Sequence, residues 1–386
     1  MKKTFSILMA MLLVTALLVS CAPTATPTPA AQPTAEKVYV EIGGQKIEPL
    51  AEKTKIVFST VGASVHALPL WIAKEQGWLD KLNIELEHIS FDNGPIQMEA
   101  LGANSWDFGS TGQGGVFTGV LKYDTVVLAD LVSDDDTMRV WARADHPIVK
   151  AGENPNFKGI FGTAEDWRGV EIMTPAGTII HYVVVKTLDK LGLKEEDVTI
   201  ANMSVANAFT AFTSGQGELA AFMGTSGYRI QDDPNYKVIS SSNAIGGGLA
   251  IAMVTLNPNS VKDAKKMEAI LKCMDVHFAV VDWIKTLTKE ELTDWQIKMS
   301  EEKGLSTNRD ELLKYMKGTV IYDFAKSYEL QTKVSDDSKL TLVERSIIDP
   351  LKFFAAQGKY TEADIAKMSS GFFPKDYMEQ LKALRE

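Results

Sequence analysis

The order of elements along the chain predicts an α/β fold with mainly parallel sheets. Short apolar runs alternate with stretches of helical spacing. The helical stretches open on proline and close on glycine, the asymmetry expected of helix ends. The alternation breaks once and restarts, giving two similar α/β units without a sequence repeat. Such an order favours strands side by side in a parallel sheet with helices on its faces. At 386 residues the chain has room for two or three domains, and 45% hydrophobic with 23% charged residues excludes wholesale disorder.

The N-terminus stands outside that fold. Residues 1–20 read as a signal peptide: Lys2 and Lys3 supply the positive end, and residues 5–19 are an apolar run of fifteen. Such a run is short for a bilayer span and within the range of a signal-peptide core. Leu18-Val19-Ser20-Cys21 resembles the lipobox of bacterial lipoproteins, which implies cleavage before Cys21 and lipidation of Cys21. From Ala22 to Thr34 there are four Ala, four Pro, four Thr and one Gln, a composition that stays extended and acts as a tether. Loss of Lys2 and Lys3 leaves 38 basic against 50 acidic residues, a net charge of −12. That balance argues against nucleic acid, which needs a basic footprint.

Residues 38–47 alternate around Gly43-Gly44 and predict a small hairpin. Strands are then expected at 55–60, 84–91 and 106–109. Helices are expected from Pro69 to Gly77, from Pro95 to Gly102, and from Gly114-Gly115 through Leu121. Residues 154–166 lack periodicity and read as a loop. The second unit has strands at 170–173, 198–200 and 219–223, with helices at 178–191, closed by Gly192, and 205–212. From Ala264 onward the chain is mostly helical. Met267, Ile270, Leu271, Met274, Phe278 and Val281 keep helical spacing and should face a core.

Four segments carry a resemblance. Pro69 to Leu79 reads PLWIAKEQGWL; Glu99-Ala100-Leu101 is followed by Trp106-Asp107-Phe108-Gly109-Ser110-Thr111-Gly112. Pro175 to Tyr182 reads PAGTIIHY, with Leu188 to Leu193 (LDKLGL) behind it, and Ala211 to Glu218 reads AFTSGQGE. In order and spacing these resemble the PLYVAKEKGFF, EAL…DFGxxG, PxGTSAHY and AFxSGQVDA stretches of the nitrate/sulfonate/taurine group of substrate-binding proteins that serve ABC importers. The resemblance covers roughly residues 54–287. It implies a type II periplasmic-binding-protein fold, two α/β lobes joined by two crossovers, with a helical C-terminal part. The expected division is 1–20 signal peptide, 21–53 tether and hairpin, 54–138 plus 250–386 lobe 1, and 139–249 lobe 2. The crossovers are expected at 137–143 and 249–256. Hinge closure would enclose a small-molecule ligand between the lobes, and a membrane permease would recognise the closed form.

Loop-to-helix junctions are where such a ligand would be held. The first N–H groups of a helix lack intrahelical partners and carry partial positive charge, so an anionic head needs no cationic side chain there. Three junctions qualify: Ser64-Val65-His66, Thr111-Gly112-Gln113, and Gly177-Thr178 before His181. A plain capped turn is the competing reading of each. Two departures from the family pattern reshape the pocket. Ile179 stands where the family often has Ser, and Glu218 to Ser226 (ELAAFMGTS) replaces DAWxxWxPY. The aromatic wall therefore gives way to Met223, Gly224 and Thr225. The resemblance thus carries no named ligand.

The leading expectation is a monomeric, lipid-anchored, extracytoplasmic receptor delivering a small organic anion, sulfonate- or carboxylate-like, to an ABC permease. The same fold binding a thiamine-precursor pyrimidine or another cationic or neutral heterocycle is the alternative, supported by Asp134, Asp135 and Asp136 before the first crossover. An extracytoplasmic enzyme is a different class, but the sequence holds no HExxH, GxSxG or Walker A pattern. A surface adhesin leaves the two units unexplained. No cofactor is expected. Cys273 and His277, four apart on a helix, are too few for a metal, so Cys273 is expected as a small buried thiol.

Overall fold

Two five-stranded sheets organise the chain, and each has one strand running against the other four. The computed structural model describes residues 38–386 except 92, 134–136, 248, 250 and 335–338. The signal peptide, Cys21, the tether and the three aspartates at 134–136 lie outside the described residues. In chain order the strands are β1 (Val40–Ile42), β2 (Gln45–Ile47), β3 (Thr54–Val61), β4 (Ile84–Phe91), β5 (Phe108–Thr111), β6 (Val126–Asp130) and β7 (Val132–Ser133). They continue as β8 (Arg139–Arg143), β9 (Glu171–Thr174), β10 (Thr199–Asn202), β11 (Leu219–Phe222), β12 (Tyr236–Ser241), β13 (Met253–Leu256) and β14 (Val320–Ile321).

The first sheet has the order β4-β3-β5-β13-β6 and the second β10-β9-β11-β8-β12. The chain leaves the first sheet after β6, enters the second as β8, and returns from β12 as β13. Both incoming strands insert antiparallel to their neighbours, β8 between β11 and β12, and β13 between β5 and β6. The stretches expected to cross between lobes, 137–143 and 249–256, therefore hold the strands that stitch each sheet together. Among the strands, β6, β7, β8, β12, β13 and β14 carry no strand expectation from the sequence, because they lack the punctuated alternation that marks the others.

The hairpin β1–β2 forms as expected, antiparallel with Val40 opposite Ile47. Both turn glycines have positive φ, +57° and +86°, the geometry of a type I′ turn. A side chain at Gly43 would also collide with the backbone of Ala279 and Trp283. The hairpin thus buries Ile42 and Ile47 against the long helix Ala264–Ile284. On that helix Met267, Ile270, Leu271, Met274, Phe278 and Val281 are all buried, as their spacing requires, and so is Cys273.

Element ends move by a residue or two where side chains take over. Strand β5 begins at Phe108 rather than 106 because Asp107 is pinned at its entrance. Its carboxylate accepts from Val57 N (2.8 Å) and Ser260 Oγ (2.7 Å) and pairs with Lys266 Nζ (2.5 Å). Trp106 Nε1 donates to Gln97 O at 2.9 Å. The expected loop 154–166 also contains the start of a short helix, Ala164–Trp167, held by the reciprocal Thr163–Asp166 capping box.

The C-terminal helices do not all join one sheet. Lys289–Glu302, Arg309–Gly318 and Lys375–Arg385 pack with the core around the long helix. Helix Leu342–Ala356 instead shares a core with helix Gln113–Tyr123 of the first sheet and helix Ile179–Lys190 of the second. Phe117 meets Phe354 edge-on at 6.4 Å, and Tyr182 meets Phe353 at 5.2 Å. Among the described residues, no helix is long and apolar enough to cross a membrane.

Candidate ligand-binding site

The carboxyl ends of β3, β5, β9 and β11 all point at one cavity of about 420 Å³. In open α/β sheets, ligands bind outside the carboxyl ends of the strands, so the placement follows from topology. From the first sheet, Ala63, Ser64, Val65 and His66 follow β3, and Gly112 and Gln113 follow β5. From the second, Ile179 follows β9, and Met223, Gly224 and Thr225 follow β11. The crossing segments add Val132, Met138, Ile251 and Ala252.

Three helix starts meet the cavity. The turn Val65–Ala67, helix Gln113–Tyr123 and helix Ile179–Lys190 begin at Ser64, Gly112 and Thr178, none of which caps its helix with a side chain. Their leading N–H groups are the partial positive charges of the site. Among the described residues, no Asp, Glu, Lys or Arg lines the cavity. Burial pushes His66 down to about 4, so its ring is neutral near pH 7. The described lining therefore offers hydrogen bonding in an apolar wall.

Several polar side chains are already engaged. Ser64 Oγ donates to Val61 O, Gln113 Nε2 donates to Ser346 O at 3.0 Å, and Ser300 Oγ donates to Gln296 O at 2.9 Å. Others keep open valences. Gln296 Nε2 donates to Ala63 O at 2.8 Å, while Gln296 Oε1 and His66 Nδ1 are buried with no partner among the described residues.

Of the residues expected at the site, Ser64, His66, Gly112, Gln113, Ile179, Met223, Gly224 and Thr225 line this cavity, whereas Thr111, Gly177, Thr178 and His181 do not. Thr111 is fully buried, packed beneath Gly94 and Gly115. Thr178 Oγ1 donates to Pro175 O at 2.7 Å, closing its own turn. His181 is 1% exposed and turned inward. Its Nδ1 accepts from Gly177 N at 3.0 Å, which puts the ring proton on Nε2, 3.2 Å from Glu195 Oε1. Burial lowers its pKa, and the nearby Glu195 carboxylate opposes that.

The sequence gives no warning of the wall contributed from beyond residue 290. Gln296, Ser300, Leu305, Thr307, Leu312 and Tyr315 line the cavity from helices Lys289–Glu302 and Arg309–Gly318 and the link between them. Their spacing is that of ordinary amphipathic helices, so only the packing of those helices over the cavity exposes the role. Next to it, Thr225, Thr307 and Leu312 also border a cavity of about 360 Å³ containing Arg229 and Glu311, 3.4 Å apart. With the Asp232–Lys314 pair, these tie the short helix Ser226–Ile230 to helix Arg309–Gly318.

Two sheets, a chain that passes twice between them and a cavity at their facing strand ends define the class: this is a periplasmic-binding-protein fold. Residues 64–246 match the family model described as NMT1/THI5 like, so the central part of the chain carries that family's pattern. The chain is 23% identical over 284 residues to a putative ABC transporter periplasmic binding protein of Brachyspira hyodysenteriae, covering 69% of this chain and 80% of that one. Its fold is similar to the periplasmic aliphatic sulphonate-binding protein SsuA of Escherichia coli, with TM-score 0.61 and 16% identity over 81% of this chain and 91% of that one. It is also similar to the periplasmic nitrate-binding protein NrtA of Synechocystis PCC 6803, with TM-score 0.59 and 12% identity over 87% and 90%.

Proposed function

We propose that this chain is the solute-binding component of an ABC importer, capturing a small organic anion, sulfonate- or carboxylate-like, in the 420 Å³ cavity and releasing it unchanged to a permease. The observation that carries the reading is the convergence of three helix starts without side-chain caps on a cavity whose wall, among the described residues, holds no charged side chain. Such N–H groups hold an anion without a cationic partner. The relatives named above are binding proteins, one of them assigned to an ABC transporter, which supports both the role and an extracytoplasmic location. In this reading the protein acts as a monomer, anchored by lipid on Cys21 through the Pro/Thr/Ala tether. A neutral heterocycle is the second reading, favoured by the neutral His66 and by the lack of a charged side chain among the described residues of the wall.

The test is a thermal-shift screen of the full mature chain against alkyl- and arylsulfonates, carboxylates, nitrate, bicarbonate and pyrimidines. A ligand at 100 times its dissociation constant stabilises the folded state by about 2.7 kcal/mol, an easily read shift. A screen in which no organic anion stabilises the protein, while a pyrimidine does, transfers the assignment to the second reading. Membrane fractionation of Cys21→Ala tests the anchor: the variant should be released, and retention without lipid would refute attachment there.

A further inference from the structure

Two of the contacts that join the sheet-bearing halves of the molecule differ in kind. Helix Leu342–Ala356 shares an apolar core with helices of both sheets. Helix Ser226–Ile230, by contrast, faces helix Arg309–Gly318 while each is rooted in its own core. Ile230 packs with Trp141 and Phe222 of the second sheet, and Leu312 and Met316 pack with the core around the long helix. What spans the gap between these two helices is mostly polar. Arg229 Nε lies 3.4 Å from Glu311 Oε1, and Lys314 pairs with Asp232. Tyr228 meets Tyr315 edge-on at 6.2 Å, and its hydroxyl lies where a Cβ on Gly318 would fall. The Arg229 side chain is 50% exposed and that of Asp232 69%.

This polar contact borders the solute cavity. Thr225, Leu312 and Tyr315 line that cavity from the two helices or the residue before them. The adjoining cavity of about 360 Å³, which holds Arg229 and Glu311, shares Thr225, Thr307 and Leu312 with it. Leu305 lines the solute cavity and is still 47% exposed, so solvent reaches this edge of the wall. A shared apolar core resists separation, because parting it would wet both faces. Half-exposed ion pairs contribute little, are screened by salt and re-form after parting.

We infer that the Arg229–Glu311 and Asp232–Lys314 pairs, with the Tyr228–Tyr315 contact, form a latch at the edge of the cavity. Solute enters and leaves when helix Ser226–Ile230 parts from helix Arg309–Gly318, while helix Leu342–Ala356 keeps the halves together. The inference rests on the reading of the cavity as a solute site.

The test reads opening without any solute. Met223→Cys and Ile179→Cys each place a thiol in the cavity wall, and their rate of modification by a polyethylene glycol maleimide reports how often the cavity opens. Ser370→Cys, at an exposed position, is the control. All are made in the full mature chain carrying Cys21→Ala, with buried Cys273 as background. Adding Asp232→Asn together with Glu311→Gln should raise both cavity rates about tenfold and leave the control unchanged. Raising NaCl to about 1 M, where the screening length is about 3 Å, should act in the same direction with the pairs intact. Arg229→Glu alone should be fast, and adding Glu311→Arg should slow it again. Unchanged cavity rates in the folded double variant, or an equal rise at Ser370→Cys, overturn the latch and leave the solute site standing. If the double variant does not fold, the salt series decides, and cavity rates that stay flat up to about 1 M NaCl overturn the latch. A thermal-shift screen in which nothing binds overturns the solute-site reading instead, whatever the labelling rates show.

Discussion

Gly177 and Thr178 show how a residue's own bonds decide its role. Their sequence context is that of a ligand-holding junction, yet Thr178 Oγ1 is spent on Pro175 O and Gly177 N on the His181 ring. Thr178→Ala should therefore cost about 0.5–1.5 kcal/mol of stability, the net worth of one hydrogen bond, and change solute affinity less than about threefold. Gly177→Val should be worse for stability, by about 1–3 kcal/mol. Gly177 sits at φ +75°, where a β-branched residue is strained, and an added Cβ would lie 3.0 Å from Lys359 Nζ. Denaturant unfolding with parallel calorimetry separates the two readouts. A large affinity loss in folded Thr178→Ala would place the solute on that turn after all. Asp107 teaches the same lesson from the opposite side. It belongs to a motif shared with solute-binding proteins, but its carboxylate is consumed in tying β3, Ser260 and Lys266 together behind the cavity.

Helix Gln113–Tyr123 presents its first residue to the cavity while its body leans on helix Gly94–Glu99 with almost no side chain between them. A Cβ on Gly94 would lie 2.8 Å from Gly115 Cα, and one on Gly115 would run into the Thr111 side chain. The close approach sets where Gln113 and its N–H groups stand. Gly115→Ala should push the helix outward, destabilise the protein by about 1–3 kcal/mol as overpacking does, and weaken solute binding at the same time. Thermal melts and titration of one purified variant check both, and unchanged values for both would mean that the helix start does not depend on this contact. Helix Leu342–Ala356 works at the same scale. By packing on helices of both sheets it gives them a shared apolar core, so that any opening of the cleft must pivot about this element or disrupt it.

Across the whole molecule, all five histidines are held below their ordinary pKa, in each case chiefly by burial. His66 lies at about 4, and His88 and His277 at about 3. Their unfolded value is about 6.5, so between about pH 6.5 and 4 the unfolded chain takes up protons that the folded chain refuses. Stability is then present above about pH 6.5 and falls as pH falls, by up to about 1.4 kcal/mol per pH unit for each such group. Asp275 opposes this. Burial raises its carboxyl to about 6 against the pull of Arg385, so the folded state gains from its protonation on the way down to its ordinary 3.8. One group against five leaves a net loss. The melting temperature should drop steadily from pH 7 to pH 4.5, and a flat or rising profile would mean that these rings are not buried neutral.

The sequence by itself determined the α/β class, the hairpin at 38–47, the core face of the long helix and the periplasmic-binding-protein likeness, because each is written in local periodicity, turn glycines or short motifs. It also marked the residues after β3, β5 and β11 that line the cavity, since strand ends in such sheets are where loops converge. Tertiary structure alone decided the rest. Whether His181 faces a solute or Glu195 depends on a rotamer and a partner fourteen residues away along the chain. Gln296 and Tyr315 reach the cavity only because distant helices fold back over it. Helical periodicity states which face of an element is buried, and leaves open what that face is buried against.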